Sequence, residues 1–213
     1  MASKNSRVSE AVIRRLPIYH RFLTDLINKG IERTSSKDLS ILTGFTASQI
    51  RQDLNNFGEF GQQGYGYNTT ELRDEISNIL GMNYTHNAIL IGAGQLGSAI
   101  AKFKGFKESG FKIKALFDSN PAKIGMEINS LPIRDIKEME TFIKEHKIDV
   151  AIITIPKDHV TNLVNKLVEC KIKGIWNFSP IDITVPSGVV IENVRLNDSL
   201  LKLSYYLKES RAK

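Results

Sequence analysis

Ala88-Ile89-Leu90-Ile91-Gly92-Ala93-Gly94-Gln95-Leu96-Gly97 is the stretch that decides the fold. Four apolar residues are too few for a helix of their own, and they run straight into a glycine-spaced turn, so they read as a buried strand leading into a helix. Each glycine has a separate physical task. Gly92 permits the tight turn, Gly94 lets the backbone approach a pyrophosphate, and Gly97 lets the helix sit close to the strand. The helix N-terminus near Leu96 then offers unpaired amides and a positive dipole end to phosphate oxygens.

Downstream the same pattern repeats. Ile113–Phe117, Val150–Ile155 and Gly174–Phe178 are short, dense apolar runs, separated by helical stretches at Leu96–Lys107, Asp135–His146 and His159–Cys170. Near-continuous apolar strands alternating with helices predict a parallel sheet covered on both faces. The second strand ends at Phe117-Asp118, and a carboxylate there accepts hydrogen bonds from adenine-ribose hydroxyls and repels a 2′-phosphate. Neither Ser119 nor Asn120 supplies the cation that NADP would need. Gly92, Ala93, Gly94, Gln95, Leu96, Gly97 and Asp118 are therefore the candidate site for NADH or NAD⁺.

Upstream of the strand the period is helical. Val12, Leu16, Tyr19, Leu23 and Leu26 recur at steps of three or four, with Pro17 expected to bend or break the helix and Gly30 to stop it. Ser35-Ser36-Lys37-Asp38 offers N-caps for a short helix ending at Thr43-Gly44. Thr46-Ala47-Ser48-Gln49 has the spacing of a capping box opening a third helix to about Asn56. Two short helices joined by a glycine turn form a helix-turn-helix. Phe57 to Tyr67 then packs four glycines and four aromatics into eleven residues, which predicts a tight hairpin, the wing of a winged helix. Glu71 to Leu80 is helical again.

A recognition helix in the major groove presents its first turns to base edges. Ala47 can touch a thymine methyl, Gln49 or Gln52 can bond adenine, and Arg51 can bond guanine or a phosphate. Ser36, Thr46, Ala47, Ser48, Gln49, Arg51, Gln52, Asn56, Gln63 and Tyr65 make up the candidate DNA-contacting set. Arg14, Arg15 and Arg21 are either phosphate contacts or solvated.

Charge and composition exclude much else. The 213 residues carry a net charge of +6, and residues 1–57 hold nine Lys/Arg against five Asp/Glu. No apolar run is long enough to cross a bilayer, and Met1 to Arg7 lacks the apolar segment of a secretory signal, which places the chain in the cytoplasm. The lone Cys170 reads as a small core residue, and the four histidines have no metal-ligand spacing, so no metal is expected. A dehydrogenase needs an acid or base beside the nicotinamide. Lys157 and His159 are available, but both read as capping or solvating the following helix. No catalytic residue is assigned. Two alternatives remain at this point: an NAD-dependent oxidoreductase with an accessory DNA-binding domain, and a nucleotide-binding module whose helical domain docks protein.

Taken together, Arg15-Leu16-Pro17, Ser35-Ser36 with Leu39, Gln49-Ile50-Arg51 with Asp53-Leu54, and Phe57-Gly58 through Gly64-Tyr65-Gly66-Tyr67 resemble the redox-sensing transcriptional repressor Rex family. Gly92 to Gly97, Phe117-Asp118, Gly174-Ile175 and Asn177-Phe178 extend the resemblance over essentially the whole chain. It implies a homodimeric repressor that binds palindromic operator DNA when NADH is scarce and releases it when NADH binds. The fold implied is α/β: a winged-helix domain at 1–81, a Rossmann-type NAD(H) domain at 82–194, and a C-terminal helix at 195–213 exchanged between protomers. Leu196, Leu200, Leu203 and Leu207 form the apolar stripe of that helix.

Three departures from the family pattern stand out. Gln52 and the wing's Gln62-Gln63 replace basic residues, which predicts a shallower salt dependence of DNA binding. Gln95 stands where Asn is usual. Phe103 and Arg195 fall where some members place a Tyr and an Asp that join an Arg of the first helix, here Arg21. That network cannot form with these side chains. Closure driven by the nicotinamide in an apolar pocket of Ile155, Pro156, Phe178 and Pro180 is expected instead.

Overall fold

Val12, Leu16, Tyr19, Leu23 and Leu26 form the buried stripe of helix α1 (Glu10–Asn28) in the computed structural model, which describes residues 8–58, 60–61 and 65–211. The chain divides into two units, Met1–Tyr84 and Thr85–Lys213. α1 continues through Pro17, so of the expected bend or break no break occurs. Its neighbours Leu16 and Tyr19 are both buried in one cluster, and that packing outweighs the lost backbone hydrogen bond.

Helix α2 (Ser36–Thr43) starts at a complete capping box. The Ser35 hydroxyl accepts from the Asp38 amide at 3.1 Å, and the Asp38 carboxylate accepts from the Ser35 amide at 2.9 Å. Gly44, at φ 76°, ends the helix. Helix α3 (Ala47–Asn55) is capped by the Thr46 hydroxyl, which accepts from the Gln49 amide at 3.1 Å. The reciprocal bond expected of Gln49 is not made; a charged carboxylate such as Asp38 is the stronger acceptor for it. Helix α4 (Thr69–Ile79) is opened by Asn68 and packs Leu72 and Ile76 against Leu16, Leu39, Ile50 and Leu54.

Of the hairpin expected at Phe57–Tyr67, residues 59 and 62–64 lie outside the described residues. β1 (Arg33–Thr34) pairs antiparallel with β2 (Tyr67–Asn68), so the returning arm of the glycine-rich segment joins the chain ahead of α2. Gly66, at φ 70°, makes this possible, because a Cβ there would overlap the Thr34 carbonyl.

The second unit is a seven-stranded sheet in the order β5-β6-β4-β3-β7-β8-β9. Its strands are β3 (His86–Ile91), β4 (Phe111–Asp118), β5 (Glu127–Ile128), β6 (Leu131–Asp135), β7 (Val150–Ile153), β8 (Gly174–Asn177) and β9 (Val190–Asn193). All neighbours are parallel except β5 with β6. Strand order reverses beside β3, and the crevice outside the carboxyl ends of β3 and β7 is where such sheets bind ligands. Alternation splits the core: Ile89, Ile91, Phe117 and Ile153 pack on one face under α7 (Met139–Glu145) and α8 (Val160–Glu169). Ala88, Leu90, Leu116 and Ile152 pack on the other with Ile100 of α5 (Gln95–Lys102).

The helix expected at Leu96–Lys107 is interrupted. α5 ends at Lys102, Phe103 is extended, and a one-turn helix α6 (Gly105–Glu108) follows. The Phe103 ring lies over Gly105, where a Cβ would meet it at 2.5 Å, and meets Phe106 edge-on. Helix α9 (Leu196–Arg211) has no buried residue. No described helix is long and apolar enough to cross a membrane, and no group of three or more potential metal ligands occurs among the described residues.

One largely buried ion pair ties α3 of the helix-turn-helix to α1. Arg15 donates to both oxygens of Asp53 at 2.6 and 2.8 Å, and the Tyr19 hydroxyl donates to the same carboxylate at 2.7 Å. Arg15 is thus an internal anchor of α3 rather than a phosphate contact or a solvated charge. Burial and the Asp53 bond push the Tyr19 phenol far up, which keeps it a donor. Asp53→Ala strands a largely buried guanidinium and hydroxyl, so it should destabilise the first unit by about 3 kcal/mol in chemical denaturation.

Candidate functional site

The carboxyl edge of the sheet opens into a cavity of about 640 Å³ lined by Gly92, Gly94, Asp118, Ser119, Lys123, Thr154, Ile155 and Pro156, among others. Gly92 turns at φ 101°, and a Cβ on it would meet the Thr154 carbonyl at 2.9 Å. Gly97 has no room at all, because a Cβ there would overlap the Gly92 carbonyl oxygen. Gly94 is the reverse case, with nothing within 4 Å of its Cβ position. It faces open space at the N-cap of α5 with no side-chain cap, so the amides of the first turn point where an anion can sit.

Thr154 braces this turn. Its hydroxyl is shared between the carbonyls of Gly92 at 2.7 Å and Ile91 at 3.1 Å. Nothing in its type or spacing distinguishes it in the sequence. Of the remaining motif residues, Ala93 is buried, while Gln95 and Leu96 are exposed on the first turn of α5.

Asp118 is a buried carboxylate at the end of β4. Its oxygens accept from the Ala93 amide at 2.8 Å, the Asn120 amide at 2.8 Å and the Lys123 ammonium at 3.1 Å. Burial pushes its carboxyl up, but these donors more than offset that, so it lies below the usual aspartate range and is ionised at neutral pH. Lys123 is a cation that the sequence reading missed. The signal was present five residues beyond Asp118, where a local turn through Asn120 folds the lysine back onto the carboxylate.

The expected single apolar pocket of Ile155, Pro156, Phe178 and Pro180 is divided by the sheet. Ile155 and Pro156 line the cavity, whereas Phe178 packs edge-on against Trp176 at 4.6 Å over the opposite face, and Pro180 is exposed. The β7–β8 register pairs Ile153 with Asn177, which sets Phe178 level with Thr154 and turns it away from Ile155. Asn177 and Ser179, both buried, join the halves: the Ser179 hydroxyl donates to the Ile155 carbonyl at 2.6 Å.

Arg195, just ahead of α9, is tied to the same loop. Its guanidinium donates to the carbonyls of Ser179 at 2.8 Å and Ile181 at 2.6 Å and to the Asp182 carboxylate at 2.5 Å. Lys157 and His159 are exposed in the short 3-10 turn ahead of α8, and His159 makes no capping bond. Cys170 is partly buried against the core at the end of α8, and burial raises its thiol.

In the other unit, α3 buries Ile50, Asp53 and Leu54 and exposes Ser48, Arg51 and Gln52, with Ala47 and Gln49 half-buried. Arg51 donates to the Ser36 hydroxyl at 2.9 Å, linking the two helices of the motif. Thr46 is engaged in its cap, and the Asn56 amide donates to the carbonyls of Gln52 and Asp53. Tyr65 is exposed, with its carbonyl accepting from Arg33, a residue that the sequence reading passed over. Gln63 lies outside the described residues. Arg14 pairs with Glu10 on the surface, and Arg21 stacks on Phe22.

A family model described as a CoA binding domain matches residues 83–181, and one described as a putative DNA-binding protein N-terminus matches residues 7–55. The chain is 55% identical over 207 residues to the redox-sensing transcriptional repressor Rex of Clostridioides difficile (strain 630), covering 97% of this chain and 99% of that protein. It is 54% identical to the Rex repressor of Thermoanaerobacter pseudethanolicus, covering 97% and 92%. Among solved structures it is similar to RSP, a Rex-family repressor, with a TM-score of 0.91, 50% identity and coverage of 98% and 97%. RSP has also been solved with β-NADH, at 48% identity, and with β-NAD⁺ and operator DNA, at 51% identity, each with a TM-score of 0.91 and covering 98% of this chain and 98% and 96% of the respective RSP chains. With relatives this similar over nearly its whole length, the chain belongs to the Rex family of redox-sensing transcriptional repressors.

Proposed function

We propose that this chain is a transcriptional repressor that reads the NADH/NAD⁺ balance, binding palindromic operators when NADH is low and leaving them when NADH binds. The observation that carries this reading is the pairing, in one chain, of the Gly92–Gly94–Asp118 cavity with the exposed face of α3. The relatives point the same way, since they are named repressors and RSP has been solved with NADH, NAD⁺ and operator DNA. The cavity takes the adenosine half: Asp118 receives the ribose hydroxyls and the amides of α5 the pyrophosphate. The nicotinamide crosses the glycine turn toward Phe178 and Pro180.

The working form is a homodimer in the cytoplasm. α9 exposes Leu196, Leu200, Leu203 and Leu207 along one stripe, with Tyr205 and Tyr206 beside it, which is more apolar surface than one helix leaves in water without a partner. A second copy covers it. The domain division is 1–81 for DNA, 82–194 for nucleotide and 195–213 for the exchanged helix. Two winged helices then read half-sites about one DNA turn apart through Ser48, Gln49, Arg51 and Gln52, with Ser36, Thr46, Ala47, Asn56, Gln63 and Tyr65 around them. NADH must favour the arrangement that does not fit DNA, because equal affinity for both shifts nothing.

A gel-shift titration with NADH, NAD⁺ and NADPH on a palindromic promoter site tests this reading. NADH alone should release the DNA, and a coupling of roughly 2–3 kcal/mol corresponds to a loss of operator affinity of about 30- to 150-fold. No binding to any palindrome at low salt, or steady NADH oxidation with a carbonyl substrate, would overturn it. Gly94→Ala should leave thermal stability unchanged, since its Cβ meets nothing, yet weaken NADH binding at least tenfold by fluorescence titration and so prevent release. Arg195→Ala should bring the NADH-induced loss of operator affinity below about tenfold while each ligand alone still binds, because the Ser179 loop loses its tie to α9.

A further inference from the structure

A cation five residues beyond Asp118 is brought back onto its carboxylate by a tight turn. Asn120 accepts the Ala122 amide at 3.0 Å through its side chain and the Lys123 amide at 3.0 Å through its carbonyl, and this turn brings the Lys123 ammonium back to 3.1 Å from Asp118. Both side chains line the same cavity, together with Ser119. The Lys123 side chain is one-third exposed, 33% against 10% for Asp118, so its ammonium sits at the mouth with the carboxylate behind it. Lys166, another cation of the cavity wall, is engaged with Glu140 at 2.9 Å.

We propose that Lys123 is a specificity-determining residue: it shields the Asp118 carboxylate and is placed to receive a phosphate carried on the adenosine ribose. Selectivity against NADP(H) is then a balance between two opposed charges, not a property of Asp118 alone. The inference rests on reading the cavity as an NAD(H) site. A carboxylate accepts ribose hydroxyls and repels a 2′-phosphate, while an ammonium on a flexible stem is a point charge that follows the phosphate. With the pair intact, Lys123 is held by Asp118 and the phosphate meets a partly neutralised carboxylate. With the carboxylate replaced by an amide, the ammonium is released to the phosphate, where a charge-assisted bond is strong.

The test is fluorescence titration of the full chain with NADH and NADPH, for the wild type, Asp118→Asn, Lys123→Ala and the double variant. Wild type should prefer NADH at least tenfold. Asp118→Asn should bind NADPH more tightly and narrow that ratio tenfold or more, and adding Lys123→Ala should abolish the gain. Lys123→Ala alone should widen the preference for NADH about threefold or more, because the carboxylate loses its shield; this arm decides if Asp118→Asn does not fold. An unchanged ratio in Lys123→Ala, or an NADPH gain in Asp118→Asn that survives loss of the lysine, would overturn the role of Lys123. Failure of the wild type to bind NADH at all would overturn the reading of the cavity itself, which separates the two failures.

Discussion

Backbone against backbone at one point governs the nucleotide half of this protein. α5 approaches the end of β3 so closely that Gly97 rests on the Gly92 carbonyl, with no space for even a methyl group. Because the helix can come that near, its first-turn amides are aimed across the carboxyl edge of the sheet instead of into solvent. The Thr154 hydroxyl then reaches the Gly92 and Ile91 carbonyls, and the Ala93 amide reaches Asp118. The turn, the two strand ends and the acid are therefore positioned together, and the cavity is a consequence of the crossing.

In the helical unit the corresponding constraint is electrostatic. Asp53 points inward from α3 and is held by Arg15 and Tyr19 of α1. A buried ion pair of this kind contributes less to stability than a well-packed apolar substitute can, but it tolerates few alternative geometries. Its effect is to fix the rotation of α3 about its axis, which settles that Ser48, Arg51 and Gln52 face outward. Ser36 extends the same control to Arg51 from the first helix of the motif.

The parts of the molecule read correctly from sequence are those with a strong local signal. Period-3.6 apolar spacing located α1 and the Leu196–Leu207 stripe, dense apolar runs located β3, β4, β7 and β8, and the glycine spacing located the turn. What was missed lacked such a signal. β6 contains Pro132 and alternates in burial instead of forming a dense apolar run, so nothing separates it from a loop until β4 offers a partner. Phe103 continues a helical pattern yet ends α5, since its ring packs over Gly105 and against Phe106. Arg15 looked like any surface arginine because its partner lies thirty-eight residues away.

The amino-acid sequence by itself determined the two-part organisation, the strand–glycine turn–helix and the acid at Asp118, because each is written in spacing that neighbouring residues alone enforce. The tertiary structure decided how charges and rings share the space those elements enclose. It set Arg15 on Asp53, Arg195 on the Ser179 and Ile181 carbonyls, and Phe178 on the sheet face away from Ile155. These pairings depend on strand register and on turns folding back through space, and a side chain's type does not reveal which distant partner will stand within hydrogen-bond reach.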